Sequence, residues 1–289
     1  MKYDEYITRL GFTPKELKIL SDIDEKCRKN YAQDLLNAYA EYNKGDEAFG
    51  EYLLKFAEKS GVHVNTLNLY LYLRFLENTY KEYKKRGIGE DVFIDTMAGF
   101  SVVSRLSLDK DGVLGLLQSI HRPWFRRELG CQIFTLGRLS FELLEAPCDM
   151  EIDGKSLKKG EMCVSVHIPR FARFDEDSCE ASYAQARAFF KKFYDMDNII
   201  FMCHSWMLYP WLCEVLPETS SIVNFQKKFK IIHVDENEAG VGWIFSTGTG
   251  FLKKDEPIEN YPEDTSLRRA AKQRLREGKK LGAGIGIRL

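Results

Sequence analysis

The sequence lacks paired-cysteine motifs, a surplus of charge of either sign and long apolar runs, and each absence argues against a class of protein. Its seven cysteines are an odd number without C-x-x-C spacing, which disfavours a disulfide framework and a zinc finger. The 42 basic and 43 acidic residues nearly cancel, unlike those of a dedicated nucleic-acid binder. No apolar run approaches the roughly 20 residues that span a membrane. We therefore predict a globular protein with no nucleic-acid partner, no membrane partner and no metal.

Residues 1–5 also lack the layout of a secretory signal, in which a positive segment precedes an apolar stretch. Scattered free thiols persist in a reducing compartment. The sequence accordingly predicts a cytoplasmic protein. Its 289 residues are enough for one large domain or two ordinary ones.

Helical patterns run through the first part of the chain. Thr13, Pro14 and Glu16 form a capping box with proline at the first helical position, which predicts that a helix begins there. Residues 66–85 carry two apolar rows at helical spacing, which predicts a helix central to its domain. Shorter helices are predicted over residues 35–42, 49–56, 92–106 and 113–120, the last of them ending before Pro123.

Strand-like patterns follow from about residue 130. Alternation over residues 131–136 and 138–143 predicts two strands, and Asp153-Gly154 is typical of a tight hairpin turn. Later segments are predicted as a short helix over 208–216, strands over 222–229, 230–234 and 241–245, a helix from Thr265 to residue 276, and an extended stretch over 281–287.

A strand–helix–strand unit lies within this second part. Residues 161–168 alternate as a strand, residues 177–194 have one apolar helical face, and residues 198–203 are apolar again. A connection of this length joins two parallel strands by a right-handed crossover. The predicted fold class is α+β with two domains: an all-α domain over residues 1–128 and a mixed α/β domain over residues 129–289.

Polar residues stand where both of these strands end. His167 closes the first strand, and Cys203, His204, Ser205 and Trp206 follow one another at the end of the second. The carboxyl ends of parallel strands meet at one edge of the sheet, where open α/β sheets bind ligands. The sequence therefore predicts a site at this edge.

Six short motifs occur in a fixed order along the second part of the chain. They are Gly137-Arg138-Leu139-x-Phe141-Glu142, His167-Ile168-Pro169, Ser182-x-x-x-Ala186-Arg187-x-Phe189-Phe190, Cys203-His204-Ser205-Trp206, Phe225-Gln226-x-x-Phe229 and Asp264-Thr265-Ser266-Leu267. By these motifs the chain resembles a bacterial two-domain acyltransferase family. In that family a helical N-acyltransferase N-terminal domain precedes a GNAT-like C-terminal domain.

The resemblance implies a GNAT-like fold and an N-acyltransferase activity. The co-substrate would be acyl-CoA or CoA, with the acyl form as the donor. The acceptor would be a small-molecule amine or a peptide. Two parallel strands would splay apart around the pantetheine arm, here residues 161–168 and 198–203. The pyrophosphate would lie on the loop 169–177, at a helix N-terminus. The cofactor-binding residues expected on this basis are Ile168, Arg170, Arg173 and Ser178.

The loop 169–177 departs from the pattern of the superfamily, because it contains no glycine. Close approach of backbone to a phosphate is then harder. Asp175, Glu176 and Asp177 add negative charge that Arg170 and Arg173 would have to offset. An alternative hypothesis follows, in which the GNAT-like domain is a scaffold that binds a peptide or small ligand without turnover.

Four residues are candidates for catalysis. His167 and His204 could each act as a general base for the amine or as a donor to the thioester carbonyl, or else hold a strand end through a hydrogen bond. Glu142 is the alternative base. Ser205 could donate to the carbonyl or cap the next helix, and the sequence favours the cap.

Three residues are candidates for binding the substrate. Arg138 lies four positions before Glu142 in a predicted strand, so both would share a face and position an amine, or form a solvated pair. Trp206 could form a wall of the acyl pocket, although packing is favoured. Cys203 could be a nucleophile beside His167, although a buried apolar cysteine is the commoner state.

Two further patterns are expected to be structural. The basic stretch 268–280 predicts a solvated helix face rather than a phosphate site. Gly282, Gly284 and Gly286 are not followed by a helix, so they fail the requirements of a dinucleotide-binding loop.

Overall fold

The computed structural model describes residues 3–169, 174–236, 239–246 and 256–289. The chain divides into two compact units, Met1–Phe134 and Thr135–Leu289. Within the described ranges, no helix has the length and apolar character that crossing a membrane requires.

The first unit is helical, and its described residues confirm several predicted boundaries. Thr13 and Glu16 cap each other's backbone N–H groups at the start of α2, as the capping box predicts. Gly61 and Gly87 end α4 and α5 in the left-handed conformation, with φ of 63° and 71°. The helices are α1 (Tyr3–Ile7), α2 (Pro14–Asn30), α3 (Ala32–Lys44), α4 (Asp46–Ser60), α5 (Val64–Arg86), α6 (Glu90–Met97), α7 (Gly99–Asp111) and α8 (Gln118–Leu129).

Helix α5 is the centre of this unit, as its two apolar rows predicted. Leu67, Leu69, Leu71, Leu73 and Leu76 are all fully buried. Burial on more than one side of a helix means that neighbours surround it.

Two helix predictions in this unit are wrong. Residues 92–106 form two helices, because the chain breaks at Ala98 between α6 and α7. Residues 113–117 are not helical, because their backbone docks on the start of α5. Leu116 N–H donates to Asn65 O at 2.9 Å, and a Cβ at Gly115 would lie 2.4 Å from the Asn65 carbonyl carbon. Pro123 falls inside α8 instead of ending a helix.

The second unit is built on a six-stranded sheet in the order β1-β2-β5-β6-β8-β7. Strands β5 and β6 are parallel, as predicted, while β2–β5, β6–β8 and β8–β7 are antiparallel. The strands are β1 (Ile133–Leu136), β2 (Leu139–Glu145), β3 (Met150–Ile152), β4 (Lys155–Leu157), β5 (Met162–His167), β6 (Phe201–Ser205), β7 (Lys230–Asp235) and β8 (Ala283–Arg288), and the helices are α9 (Glu176–Tyr194), α10 (Leu212–Val215), α11 (Ser221–Lys227), α12 (Ala239–Ile244) and α13 (Ser266–Arg276), with 3₁₀ turns at Trp206–Leu208 and Ile258–Asn260.

The hairpin of β3 and β4 turns at Asp153 and Gly154, whose φ values are 50° and 76°. Positive φ at both positions is the type I′ geometry that an Asp-Gly pair predicts. The hairpin covers one face of the sheet, where Met150 and Ile152 pack with Met202 and Ile287.

Two predicted strands are helices instead. Residues 222–229 contain α11, which places the Gln226 amide where it donates to Met207 O and Tyr209 O, both at 3.0 Å. Residues 241–245 contain most of α12, whose Ile244 packs with Ala271. Short apolar runs do not distinguish strand from helix by periodicity alone, and here long-range contacts decide.

The last strand explains the glycines near the end of the chain. Strand β8 lies between β6 and β7, with Gly284 and Gly286 under the side chain and backbone of Leu208. A Cβ at Gly284 would lie 2.3 Å from Leu208 O. These glycines therefore permit close packing of the segment that follows β6.

The basic stretch 268–280 is only in part the solvated face that its composition predicted, since Arg269, Arg276, Lys279 and Lys280 are exposed but other cations of the stretch are not. The Lys272 ammonium is buried and donates to Glu259 O and Tyr261 O, both at 2.8 Å. Arg274 donates to Lys280 O and to the Tyr209 hydroxyl. These cations satisfy carbonyl groups that irregular segments leave unpaired.

Candidate functional site

Strands β5 and β6 pair over a short distance and then separate. Their Cα partners are Val164 with Phe201 and Ser165 with Met202. Beyond that point β5 stays paired with β2, and β6 with β8, up to His167 and Ser205. The inner edges of the two strands are thus left without ladder partners among the described residues, and a gap opens between two arms of the sheet.

His167 and His204 occupy equivalent positions on the two arms. Each lies two residues beyond the last β5–β6 pair, Ser165 with Met202. Side chains two apart on a strand share a face, so both histidines project from the same face of the sheet. The structure brings the two predicted histidines to the two sides of one opening.

Glu142 supports the imidazole of His167. The Glu142 Oε2 atom lies 2.8 Å from His167 Nε2. Glu142 is only 5% exposed. It lies on β2 opposite Ser165, which precedes His167 by two residues on β5 and therefore shares its face. A carboxylate at this distance stabilises the positive charge that the ring gains when it accepts a proton. An imidazole beside a carboxylate can act as a general base.

His204 also contacts a carboxylate, which comes from β7. The distance from His204 Nε2 to Asp235 Oδ2 is 3.8 Å, and the other oxygen, Oδ1, lies 2.9 Å from His233 Nε2. Asp235 reaches across β8 at Ala283, which stands opposite it and carries only a methyl group. Sequence reasoning missed His233 and Asp235, although their i, i+2 spacing places both on one face of β7.

Cys203 lies on the other face of the sheet, so it does not meet His167. Its side chain is fully buried toward α9, whose Tyr183 ring is 5.0 Å from that of Phe201 on the same face. Burial raises the pKa of the Cys203 thiol to about 12. A thiol held in this state is a poor nucleophile, which agrees with the apolar role that the sequence favoured.

Ser205 and Trp206 have structural contacts. The Ser205 hydroxyl accepts the Met207 N–H at 3.1 Å and caps the 3₁₀ turn, as the sequence favoured. Trp206 packs against the cluster of Ile244, Phe245 and Leu281.

Arg138 does not share a face with Glu142, which corrects the prediction from their spacing. It lies in the turn before β2, where Gly137 has a φ of 72°. Its backbone N–H donates to Ser182 Oγ at 2.6 Å, and its guanidinium lies 5.4 Å from the centre of the Phe174 ring. Arg138 therefore faces the α9 side.

The beginning of α9 is capped by the chain itself. Asp175 accepts the Ser178 N–H and the Ser178 hydroxyl, both at 3.0 Å. Ile168 follows β5 and is half-buried. Arg170 and Arg173, the other predicted cofactor-binding residues, lie outside the described residues.

A cleft of about 190 Å³ lies between α9 and α11, on the face opposite the two histidines. Phe174 and Phe225 form an aromatic wall, with ring centres 5.1 Å apart. The remaining lining is polar and charged and includes Asn224, Lys228, Arg288, Glu176 and Glu180.

The two cations of this cleft are paired with carboxylates of α9. Lys228 Nζ lies 2.6 Å from Glu176, and Arg288 makes two hydrogen bonds of 3.0 Å to Glu180. These bonds hold the pKa of the Glu180 carboxyl below its usual value. An anion can bind in the cleft only if it competes with these carboxylates for Lys228 and Arg288.

Among the described residues, no group of three or more His, Cys, Asp or Glu side chains is placed to hold a metal ion.

Comparison with known families gives two matches that together span nearly all of the chain. The family described as GNAT-like C-terminal domain matches residues 133–288, and the N-acyltransferase N-terminal domain matches residues 1–131. No protein of curated function matches the chain.

Solved acyltransferase structures have a similar fold. One, in complex with decanoyl-CoA and teicoplanin, has a TM-score of 0.67 at 21% identity, over 80% of this chain and 68% of that one. Another, in complex with CoA and 10C-teicoplanin, has a TM-score of 0.67 at 18% identity, over 100% of this chain and 99% of that one. The likeness establishes a helical domain followed by a GNAT-like mixed α/β domain.

Proposed function

Because this chain belongs to the family with a GNAT-like C-terminal domain, preceded here by an N-acyltransferase N-terminal domain, we propose that it transfers an acyl group from a CoA-type thioester to an amine. One observation carries the proposal. Strands β5 and β6 separate after two residue pairs, and the His167–Glu142 couple stands at the opening. The similar solved structures hold CoA or acyl-CoA, which supports the same class of donor here.

The donor enters from the α9 face in this proposal. The pantetheine arm lies in the gap, where the inner edges of β5 and β6, beyond their last shared pair in the described part of the chain, supply backbone hydrogen bonds. The phosphates lie toward the start of α9, near Lys228. Ile168, Arg170, Arg173 and Ser178 remain the predicted contacts along this path.

The acceptor amine approaches the opposite face, where His167 and His204 project. The amine nitrogen attacks the thioester carbonyl, so that an N–C bond forms and the C–S bond breaks. His167 takes the proton of the amine, and Glu142 stabilises the imidazolium. Backbone N–H groups in the gap polarise the carbonyl, with His204 or Ser205 as a further donor. A small-molecule amine or a peptide would fit this role, and the two similar structures hold teicoplanin with decanoyl-CoA or 10C-teicoplanin with CoA.

A second candidate function is a scaffold that binds a peptide or small ligand without turnover. The observation that favours it is the charge of the donor cleft, where Glu176 and Glu180 already neutralise Lys228 and Arg288. A scaffold predicts no affinity for CoA at this cleft.

Binding of CoA and a series of acyl-CoAs, measured by thermal shift and then by calorimetry, separates the two functions. A ligand that binds only the folded state raises the melting temperature by mass action. We expect a saturable shift that is lost in the Arg170→Ala/Arg173→Ala double variant and kept in Lys191→Ala, whose cation pairs with Asp197 elsewhere on the surface. No shift at millimolar acyl-CoA would overturn the transferase proposal in favour of the scaffold.

Turnover then tests the residue roles. Release of the CoA thiol from acyl-CoA is followed in the presence of a panel of amines and aminated peptides. Wild-type rates in both His167→Ala and His204→Ala would show that these roles are wrongly assigned.

A further inference from the structure

The second arm of the opening carries a histidine couple whose only task in the proposed function is that of an optional donor to the carbonyl. His204 stands at the position equivalent to His167. The Nε2 atoms of the two rings lie 2.8 Å and 3.8 Å from a carboxylate oxygen, respectively for His167 and His204. One carboxylate belongs to β2, beside the β5 arm, and the other to β7, beyond the β6 arm. A reaction in the gap would thus lie between two carboxylate-supported imidazoles.

Asp235 bridges two imidazoles, since one of its oxygens lies near His204 and the other near His233. Because Nε2 of His204 lies on the Asp235 side of the ring, at 3.8 Å from Oδ2, we assign Nδ1 as the nitrogen that passes a proton to a group in the gap. The three side chains are between 40% and 59% exposed, so His204 can be reprotonated from water after each cycle.

We propose that His204 is the acid that protonates the departing CoA thiolate, and that Asp235 and His233 are its positioning residues. The proposal rests on the acyl transfer proposed above. When the tetrahedral intermediate collapses, the C–S bond breaks and its electron pair stays on sulfur. The sulfur takes the proton from His204, while His167 holds the proton lost by the amine. Both rings then exchange with water, so the products are the amide and the free CoA thiol.

Nearby alternatives in the described structure are occupied or face elsewhere. The Tyr209 hydroxyl accepts an Arg274 N–H at 2.7 Å and lies 3.2 Å from Glu236. The Cys203 thiol is buried on the other face. Backbone N–H groups in the gap can polarise the carbonyl, but an amide does not give up its proton to sulfur. Among the described side chains at the end of β6, His204 is thus the one suited to give up a proton, since the Ser205 hydroxyl can only share a hydrogen bond.

The test varies the leaving group, because an acid is needed only when the departing thiolate is basic. Three donors of one acyl group are compared: acyl-CoA, the N-acetylcysteamine thioester and the para-nitrothiophenol thioester. The first two release basic alkyl thiolates, and the third releases a stable aryl thiolate. For each donor, kcat/KM is measured with wild type, His204→Asn, Asp235→Asn and His167→Asn.

We expect losses of about 100-fold in His204→Asn and about 10-fold in Asp235→Asn with the two alkyl donors, shrinking to less than about 3-fold with the aryl donor. His167→Asn should lose activity alike with all three donors. Asp197→Asn, which removes a surface carboxylate paired with Lys191 before β6, is the matched control and should behave as wild type. Melting temperatures establish that each variant is folded, and Asp235→Glu should recover part of the rate.

Equal losses in His204→Asn for alkyl and aryl donors would overturn the acid role and assign His204 to the carbonyl instead. No loss with any donor would overturn it as well. If wild type turned over none of the three thioesters, acyl transfer itself would be refuted, an outcome distinct from turnover that ignores His204.

Discussion

The two arms of the opening differ in how they hold their histidines. On the β5 arm, Glu142 is almost completely buried and lies 2.8 Å from His167. On the β6 arm, Asp235 is 40% exposed and lies 3.8 Å from His204. A buried charge that loses its partner is strongly penalised, whereas water compensates an exposed one. The geometry therefore provides one rigid couple suited to a fixed base and one solvated couple suited to proton exchange.

The largest effect is expected from the buried couple. Glu142→Gln keeps the shape of the side chain but removes the charge that stabilises the imidazolium. We expect kcat to fall by about 1000-fold, with KM for the thioester donor nearly unchanged. Steady-state thiol release measures both constants.

The control for this variant is Glu151→Gln, an exposed carboxylate on β3. If Glu142→Gln retained kcat within about 3-fold of wild type, the general-base role of the couple would be refuted, since acid–base groups contribute far more than that.

An effect of intermediate size is expected on CoA binding in the cleft between α9 and α11, where exposed charge pairs would compete with the ligand. Lys228→Ala should weaken CoA binding by about 5-fold, because it removes a cation near the phosphates. Glu176→Gln should strengthen binding by a similar factor of about 5, because it frees Lys228 and removes a repulsive charge. Calorimetric Kd values with CoA measure both changes.

Opposite signs for these two variants are the essential result. If Lys228→Ala and Glu176→Gln changed the Kd in the same direction, or not at all, the phosphates would not lie beside this ion pair. Lys191→Ala, on the exposed side of α9, controls for the loss of a surface cation.

A buried carboxyl of the helical unit shows what burial does to a proton equilibrium. Glu128 in α8 accepts the Trp124 indole N–H at 2.7 Å, and burial raises the pKa of its carboxyl to about 8. Between the ordinary carboxyl pKa and about pH 8, Glu128 keeps its proton in the folded state but has lost it in the unfolded state. The contribution of Glu128 to stability is therefore greatest at low pH and is lost as the pH rises from the ordinary carboxyl value through about 8.

Glu128→Gln should remove this pH dependence, because an amide does not titrate. We expect the variant to melt about 3 °C or more above wild type at pH 9, and near wild type at pH 5. Differential scanning calorimetry at both pH values checks this expectation. Equal pH profiles for the two proteins would show that burial does not raise the pKa of Glu128 above its value in the unfolded state.

Local signals predicted much of the fold. The Thr13–Glu16 capping box, the Asp153-Gly154 turn and the strand–helix–strand unit depend on residues close together in the chain, and all three are observed. The predictions that failed are those where distant contacts override a short pattern. Residues 222–229 alternate like a strand but form α11, because Gln226 satisfies carbonyls of the segment after β6.

The candidate site was predicted only in part, because some of its contacts also depend on distant segments of the chain. Strand ends and the period of two place His167 and His204 at one edge, and the resemblance pointed to Glu142. Arg138 was assigned to the wrong face, because the strand begins one residue after it. His233 and Asp235 were missed, because their relevance depends on a strand order in which β8 lies between β6 and β7.

The sequence by itself determined the two parallel strands and the histidine at the end of each, because crossover connections and strand alternation are local properties of the chain. The face that the two histidines share depends on the register of β5 with β6, which is set by tertiary pairing. Only the tertiary structure decided which carboxylate each histidine meets and how much water surrounds it. Glu142 is buried because β2 pairs with β5 within the sheet, whereas Asp235 stays half-exposed because β7 forms its edge. Long-range strand pairing sets that burial, and burial sets the strength of each charge pair.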